Sequence, residues 1–352
     1  MSTGEVRQME VLSALGVHEE VLSIHGTAPG VKGEGVTRLI YENMDGLLNK
    51  IGGNEKLEKE KAIIDDLEVD IACFNEHKQN LMHKDNVNGF SQLFQGGEAE
   101  VRSVAAHNRH EGRTVGRRQE GGTAALVFGH LVEQYDFEAS GRDDLGLGRW
   151  AVLVFRGSND IVTRVVCCYC PCVSRNQATR SSYQQARRFY IQKEQDLTCP
   201  RTQFRLDLIA QLQQWRNAGD RLIVCLDANS DIYRKYLGQS LVHEDGLNMS
   251  EVVGDFTGRQ IGPTFFRGQK PIDGVWATKD IQVVNVCIMP AGFGVGDHRM
   301  FVIDIRTQSI TGSSPPKVVR IAARRLNTTI PHVAEKYVNM LERLTEEHRL
   351  NS

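Results

Sequence analysis

A chain of 352 residues and 39.4 kDa, 40% hydrophobic and 24% charged, is long enough for one large core or two smaller ones. A formal net charge of -2 excludes a globally basic nucleic-acid binder, so any polyanion surface must be a local cluster of Lys and Arg. No apolar run approaches the ~20 residues needed to cross a bilayer, and the segment after Met1 lacks the basic and apolar stretches of a signal peptide. The expectation is a protein of the nucleus or cytoplasm, neither secreted nor membrane-bound.

In chain order, residues 1–35 are rich in Gly and charge, with only short apolar clusters, and are expected to form a flexible extension. Residues 37–41 predict a strand leading into the turn Asn43-Met44-Asp45-Gly46. Residues 55–67 carry Leu57, Ile64 and Leu67 on one helical face, and 69–74 predict a second strand that delivers Asn75-Glu76-His77-Lys78. Further strands are expected at 90–94, 123–128, 150–155 and 161–169, the last two joined by the hairpin residues Gly157-Ser158-Asn159-Asp160. Between 94 and 123 lies a polar insertion with Arg102, Arg109, Arg113, Arg117 and Arg118, which reads as a mobile surface loop.

The strand at 161–169 ends in Tyr169-Cys170-Pro171. Helices are expected at 181–197 and 202–215, separated by Cys199-Pro200, with Phe204, Leu208, Leu212 and Trp215 on the core side of the second. Residues 221–226 predict a buried strand ending at Asp227-Ala228-Asn229, and strands at 273–277, 281–289 and 300–305 complete the domain, with Asp297-His298 just ahead of the last. A linker over 307–329 then precedes an amphipathic helix at 330–352, with Val333, Tyr337, Met340, Leu341 and Leu344 on one side. Such a stripe must pack back or bind something else. Strands and helices alternate, but several hairpins are short, so the expected fold over 36–306 is α/β: two packed mixed β-sheets flanked by helices, a four-layer α/β/β/α sandwich.

Two metal readings fall away on spacing. Cys167-Cys168-Tyr169-Cys170-Pro171-Cys172 lies mostly in a strand, whose neighbouring side chains point to opposite faces and cannot easily wrap one tetrahedral ion; reduced, buried thiols are expected instead. Asp227-Ala228-Asn229-Ser230-Asp231 begins like a calcium loop, but Ile232 and Gly238 stand where that loop needs Gly and Glu.

Each remaining polar cluster has an ordinary explanation as a turn or a solvated strand end. Their shared position at the ends of apolar runs points to one rim of a sheet scaffold, where distant segments converge. Together they resemble the endonuclease–exonuclease–phosphatase superfamily, most of all the endonuclease domain of non-LTR retrotransposons. Asn43-x-Asp45-Gly46-Leu47 is similar to its first motif, Glu76 with Lys78 to its metal-binding glutamate motif, and Tyr169-x-Pro171 to its tyrosine motif. Asp227-x-Asn229, Asp273 and Asp297-His298 match the later ones, and Thr264-Phe265-Phe266 with Ile272-Asp273-x-x-Trp276 carries the retrotransposon likeness. Departures are Asn75, Cys172 and Gly296, where Gln, Asn and Ser are usual.

The resemblance implies a deoxyribonuclease-like sandwich and hydrolysis of phosphoesters with magnesium, or with manganese as the alternative. Glu76, Asp45, Asn43 and Asp297 are the implied metal set. Asp227 is the implied base for the attacking water; Asn229, Tyr169 and His298 would donate to the transition state, and Asp273 would fix the imidazole. Substrate contacts are expected from Lys78, Arg175, Arg180 and Arg187. The last three, with Arg188, are interleaved with Tyr183, Phe189 and Tyr190, which suits either a helix with an aromatic inner side or a phosphate-tracking face. DNA is the expected partner, with a reverse transcriptase or another protein reached through the C-terminal helix. The competing readings are hydrolysis of a small or lipid phosphoester or of RNA, and a non-catalytic nucleic-acid-binding relic.

Overall fold

The computed structural model describes residues 19–47, 54–83, 89–95, 100–110, 116–195, 197–243 and 247–312, together with 335–336, 338–340 and 342–343. Contacts divide the chain into one unit at Met1–Pro315 and another at Pro316–Ser352. In the second unit the described residues are helical and exposed, Val338 and Met340 among them. The rest of the expected apolar stripe, Val333, Tyr337, Leu341 and Leu344, lies outside the described residues.

Thirteen strands build the first unit among the described residues: β1 (His25–Gly26), β2 (Val36–Asn43), β3 (Ile71–Asn75), β4 (Val101–Ala106), β5 (Thr123–Phe128), β6 (Gly141–Arg142), β7 (Trp150–Arg156), β8 (Val162–Tyr169), β9 (Arg221–Asp227), β10 (Met249–Glu251), β11 (Asp273–Thr278), β12 (Val283–Ile288) and β13 (Phe301–Arg306). They form a seven-stranded sheet in the order β1-β12-β13-β2-β3-β5-β4 and a six-stranded sheet in the order β10-β11-β9-β8-β7-β6. The mixed two-sheet fold expected from the sequence is the one observed. Both sheets bury apolar side chains on two faces, one inward against the other sheet and one outward under helices, so their central strands read as continuous apolar runs. The helix Pro200–Asn217 covers the six-stranded sheet through Phe204, Leu208 and Leu212, while Glu55–Asp66 covers the other through Leu57, Ile63 and Ile64.

The rim follows from strand direction. Each sheet contains one parallel pair, β2 with β3 and β8 with β9, in registers that set Asn43 beside Asn75 and Tyr169 beside Asp227. Their antiparallel neighbours begin where these strands end: Asp273 pairs with Asp227, and Phe301 pairs with Tyr41 just after Asp297-His298. One edge of the sandwich therefore collects the ends of a parallel pair from each sheet together with the starts of the antiparallel strands beside them.

Several expectations need correction. Residues 90–94 form a helical turn, Phe90–Leu93, because so short an apolar run packs Phe94 against Phe74 and Phe90 against Phe94 without needing strand pairing. The Arg-rich insertion is not a plain loop: its Val101–Ala106 is a strand paired along β5. Part of the N-terminal extension is also built in, since β1 adds an edge strand to β12. Residues 307–311 of the expected linker form a helix, Thr307–Thr311, with Ile310 fully buried. Cys167, Cys168 and Cys170 are free, buried thiols as expected, whereas Cys172 of the same run is exposed.

Candidate active site

The rim residues meet. Asp227, Asp273 and His298, all buried, offer ligand atoms within 4.8 Å of one another. His298 Nδ1 pairs with Asp273 Oδ2 at 2.6 Å, and Tyr41 Oη donates to the other oxygen of Asp273 at 3.0 Å. Burial alone would lower the imidazole's affinity for a proton; Asp273, Asp227 and Asp297 overcome that and hold its pKa up at about 10. His298 is therefore a cationic donor at neutral pH, turned by Asp273 so that Nε2 faces Asp297 at 3.9 Å.

Asp227 ends β9 and is fully buried. Asn43 Nδ2 donates to its Oδ2 at 3.0 Å, and the Asn229 backbone N–H donates to its Oδ1 at 2.8 Å. Burial, then the Asp273 charge, raise its pKa well above the carboxylate range, giving a basic carboxylate fixed in place. Tyr169, one strand over, is kept protonated by burial and by the charges of Glu76 and Asp227, so its phenol is a donor.

Asp45, Glu76 and Asp297 form the second half of the site. Lys78 Nζ bridges Asp45 and Glu76, the latter at 2.8 Å, and reaches Glu120 at 3.5 Å. Burial would strip the ammonium of its proton, but these carboxylates raise its pKa overall. Asp297 is raised by burial and by Asp45 and Glu76, against the opposing charge of His298. Carboxylates that press on one another in this way are hard oxygen donors with charge to neutralise, and they fit a divalent cation such as magnesium or manganese. Asn43 sits differently from the expected ligand set. Its Oδ1 accepts from Asp45 N at 3.0 Å while its Nδ2 holds Asp227, so it couples the two halves of the site.

Four of the nine non-glycine residues with positive φ among the described residues lie on the same rim. Asp45, Glu76, Lys78 and Asn229 all lie in the left-handed region, with φ between 44 and 54. Non-glycine residues are held there only when surrounding bonds over-determine them, as at functional sites. Asn229 donates from Nδ2 to Cys170 O at 2.9 Å and to Asp227 Oδ2 at 3.3 Å, so in this state it orients the base.

The predicted arginines do not join the cluster. Arg175 and Arg180 are exposed and Arg187 half-buried, on and before the helix Ser182–Gln192, whose Tyr183, Phe189 and Tyr190 pack inward. Several supports had no sequence signal strong enough to single them out. Asn75 Nδ2 donates to Tyr41 Oη in its own sheet at 3.0 Å and across the sandwich to Cys168 O at 2.8 Å, and its Oδ1 accepts from Cys167 Sγ of the other sheet at 3.2 Å. Arg201, in the first turn of Pro200–Asn217, clamps two rim loops by donating to Pro171 O and Ala228 O, both at 2.8 Å. Strand alternation places Tyr41 on the face of Asn43 and could have found it; the targets of Arg201 are carbonyls, which leave no trace in a sequence. Gly296 is required by contact, since a Cβ there would lie 1.8 Å from Asn43 O.

No family model and no curated protein matches the sequence. Solved structures do match. The human Nocturnin catalytic domain with bound sulfate has a TM-score of 0.55 at 14% identity, covering 80% of this chain and 96% of that one. The AP endonuclease LMAP from Leishmania major has a TM-score of 0.53 at 14% identity, covering 84% and 98%. The Xenopus laevis APE2 catalytic domain has a TM-score of 0.53 at 14% identity, covering 77% and 92%. The chain thus has the endonuclease/exonuclease/phosphatase fold, as its motifs led us to expect. No helix among the described residues is long and apolar enough to cross a membrane.

Proposed function

We propose that this chain is a metal-dependent phosphodiesterase that nicks one strand of DNA. The observation that carries the reading is the buried Asp227, Asp273 and His298 cluster, joined through Asn43 to the Asp45 backbone and lying beside the mutually repelling carboxylates of Asp45, Glu76 and Asp297. Glu76, Asp45 and Asp297 would hold the cation, which when bound withdraws charge from phosphoryl oxygens and stabilises a leaving alkoxide. Asp227, basic and held by two asparagines, takes a proton from the attacking water. Tyr169 and the imidazolium of His298 donate to the more negative transition state, and Asp273 keeps the imidazole oriented and charged.

A nucleic-acid substrate is favoured by what lines the rim. Phe265 packs on His298 with ring centroids 5.2 Å apart, Phe266 packs on Phe265 at 5.4 Å, and Arg267 lies over Phe266 at 4.8 Å. Partly exposed aromatic rings beside a phosphate site suit a base or sugar. The resemblance of the segments at 264–266 and 272–276 to retrotransposon endonucleases supports a retroelement type. The fold similarity to AP endonucleases is compatible with the same chemistry.

The deciding experiment compares nicking of supercoiled plasmid with and without chelator, alongside RNA and a chromogenic phosphate ester. Metal-dependent conversion to open circle, lost in Glu76→Gln and Asp227→Asn, is the expected result. Preference for the small ester would replace DNA as substrate, and undiminished nicking by both variants would overturn the site.

A further inference from the structure

The polar insertion contributes a cation to the rim. Residues 116–122 lie along 78–80: Asn80 N donates to Arg117 O at 2.7 Å, Gln119 N to Lys78 O at 3.1 Å and Lys78 N to Gly121 O at 3.0 Å, with Gln79 and Arg118 paired as a bridge. This brings Arg118 over the Asp45-Gly46 turn, so close that a Cβ on Gly46 would meet its Nη1 at 3.0 Å. Its Nε pairs with Glu120 Oε1 at 3.2 Å, while the other oxygen of Glu120 faces Lys78. The Nη groups of Arg118 make no hydrogen bond among the described residues, and its side chain is 33% exposed.

Three consequences follow from guanidinium chemistry. Glu120 fixes one edge of the fork and leaves the two Nη donors available for a planar, two-oxygen acceptor. The Arg118–Glu120 pair is partly exposed and therefore weak, so an incoming phosphate can compete for it at little cost. The position is beside the carboxylate cluster, over the Asp45-Gly46 turn, where a second phosphate of a chain could be met without displacing a carboxylate of the cluster.

We propose that Arg118 binds the phosphate next to the scissile one and thereby selects a polynucleotide chain over an isolated phosphoester. This rests on the reading that the site hydrolyses phosphodiesters. Glu120 acts as its placeholder, occupying the guanidinium until substrate arrives.

The test is fluorescence anisotropy of a labelled short duplex in chelator over a series of salt concentrations, paired with kcat/KM on the duplex and on bis(4-nitrophenyl) phosphate under metal. Arg118→Ala should weaken duplex binding about 10-fold and reduce the slope of log Kd against log salt by about one phosphate contact. Arg118→Lys should keep the slope but recover only part of the affinity. Glu120→Gln should tighten binding a few-fold, and that gain should vanish in the double variant with Arg118→Ala. The ratio of duplex to small-diester kcat/KM should fall about 10-fold in Arg118→Ala. Unchanged affinity and slope in a folded Arg118→Ala, or an equal loss on both substrates, would overturn the assignment while leaving the phosphodiesterase intact. A wild-type protein that neither binds nor cuts the duplex would instead remove the DNA reading, and this inference with it.

Discussion

The two sheets supply different chemistry to one rim. The seven-stranded sheet delivers Asn43, Asp45, Glu76 and Lys78 from the ends of β2 and β3 and Asp297-His298 ahead of β13; in the proposed mechanism its carboxylates Asp45, Glu76 and Asp297 would carry a cation's charge. The six-stranded sheet delivers Tyr169, Asp227, Asn229 and Asp273, the groups that move or hold protons. Side-chain contacts cross between them, among them Asn43 to Asp227, Tyr41 to Asp273, His298 to Asp273, and Asn75 to Cys167 and Cys168. Neither sheet holds a working set alone, so the site's geometry depends on how the sandwich is packed.

The strongest way to break this division is to remove one group from each side. Asp227→Asn should lower turnover by about 10²–10⁴-fold with divalent-cation binding retained in calorimetry, whereas Glu76→Gln should lose cation binding as well as turnover. If both variants bound the cation as the wild type does, the assignment of charge to one sheet would be wrong. Asp273→Asn sharpens the picture through pH. The Asp273 carboxylate does most to raise His298, so removing it should let the imidazolium lose its proton nearer neutrality and move the basic limb of the pH–rate profile to lower pH. An unmoved limb would detach His298 from the donor role.

Smaller effects test the contacts between the sheets. Asn75→Leu removes the side-chain donor to the Cys168 carbonyl and to the Tyr41 oxygen, while Tyr41 keeps its bond to Asp273, and should cost about 1–3 kcal/mol in denaturant unfolding, with turnover falling more than global stability predicts. The last effect is in the seven-stranded sheet alone. Glu42 is fully buried, with Oε1 accepting from Gly296 N at 2.6 Å and Oε2 unpartnered; neighbouring Glu60, also buried, has both oxygens unpartnered. Burial raises Glu42 from 4.5 to about 7 and, with the Glu42 charge, raises Glu60 well above its ordinary value. The folded chain therefore holds protons that the unfolded chain has released, so stability should fall as pH rises from about 4.5 to about 7. Glu60→Gln should raise Tm by a few degrees at pH values above that window and change it little below it. Equal Tm shifts at both ends would show that the pair is not protonated in the fold.

Much of this was legible from letters alone, for a physical reason. Motif residues sit at strand ends, and strands buried on two faces announce themselves as apolar runs, so β2, β3, β5, β7, β8, β9, β11 and β13 and the clusters at their ends could be placed. What could not be read depended on partners far along the chain. β4 begins Val101-Arg102-Ser103 and looks polar; it is a strand because β5 offers it an edge. Phe90–Leu93 is too short for periodicity to separate strand from helix. As isolated letters Asn75 and Gly296 were only departures from the motifs. In three dimensions Asn75 is a brace between sheets, and Gly296 leaves room for the Asn43 carbonyl.

β1 carries a practical consequence for anyone trimming the chain to its motif-bearing part. A version beginning at Val36 would strip β12 of its outer neighbour and present a free strand edge, the surface through which proteins stick to one another. It would also take away the Ser23 carbonyl that accepts from Arg299 at 2.6 Å and the Val21 carbonyl that accepts from Ala291 N at 2.7 Å. Arg299 follows His298 directly, so shortening the protein at its quietest-looking end would reach the reaction centre through a single peptide bond.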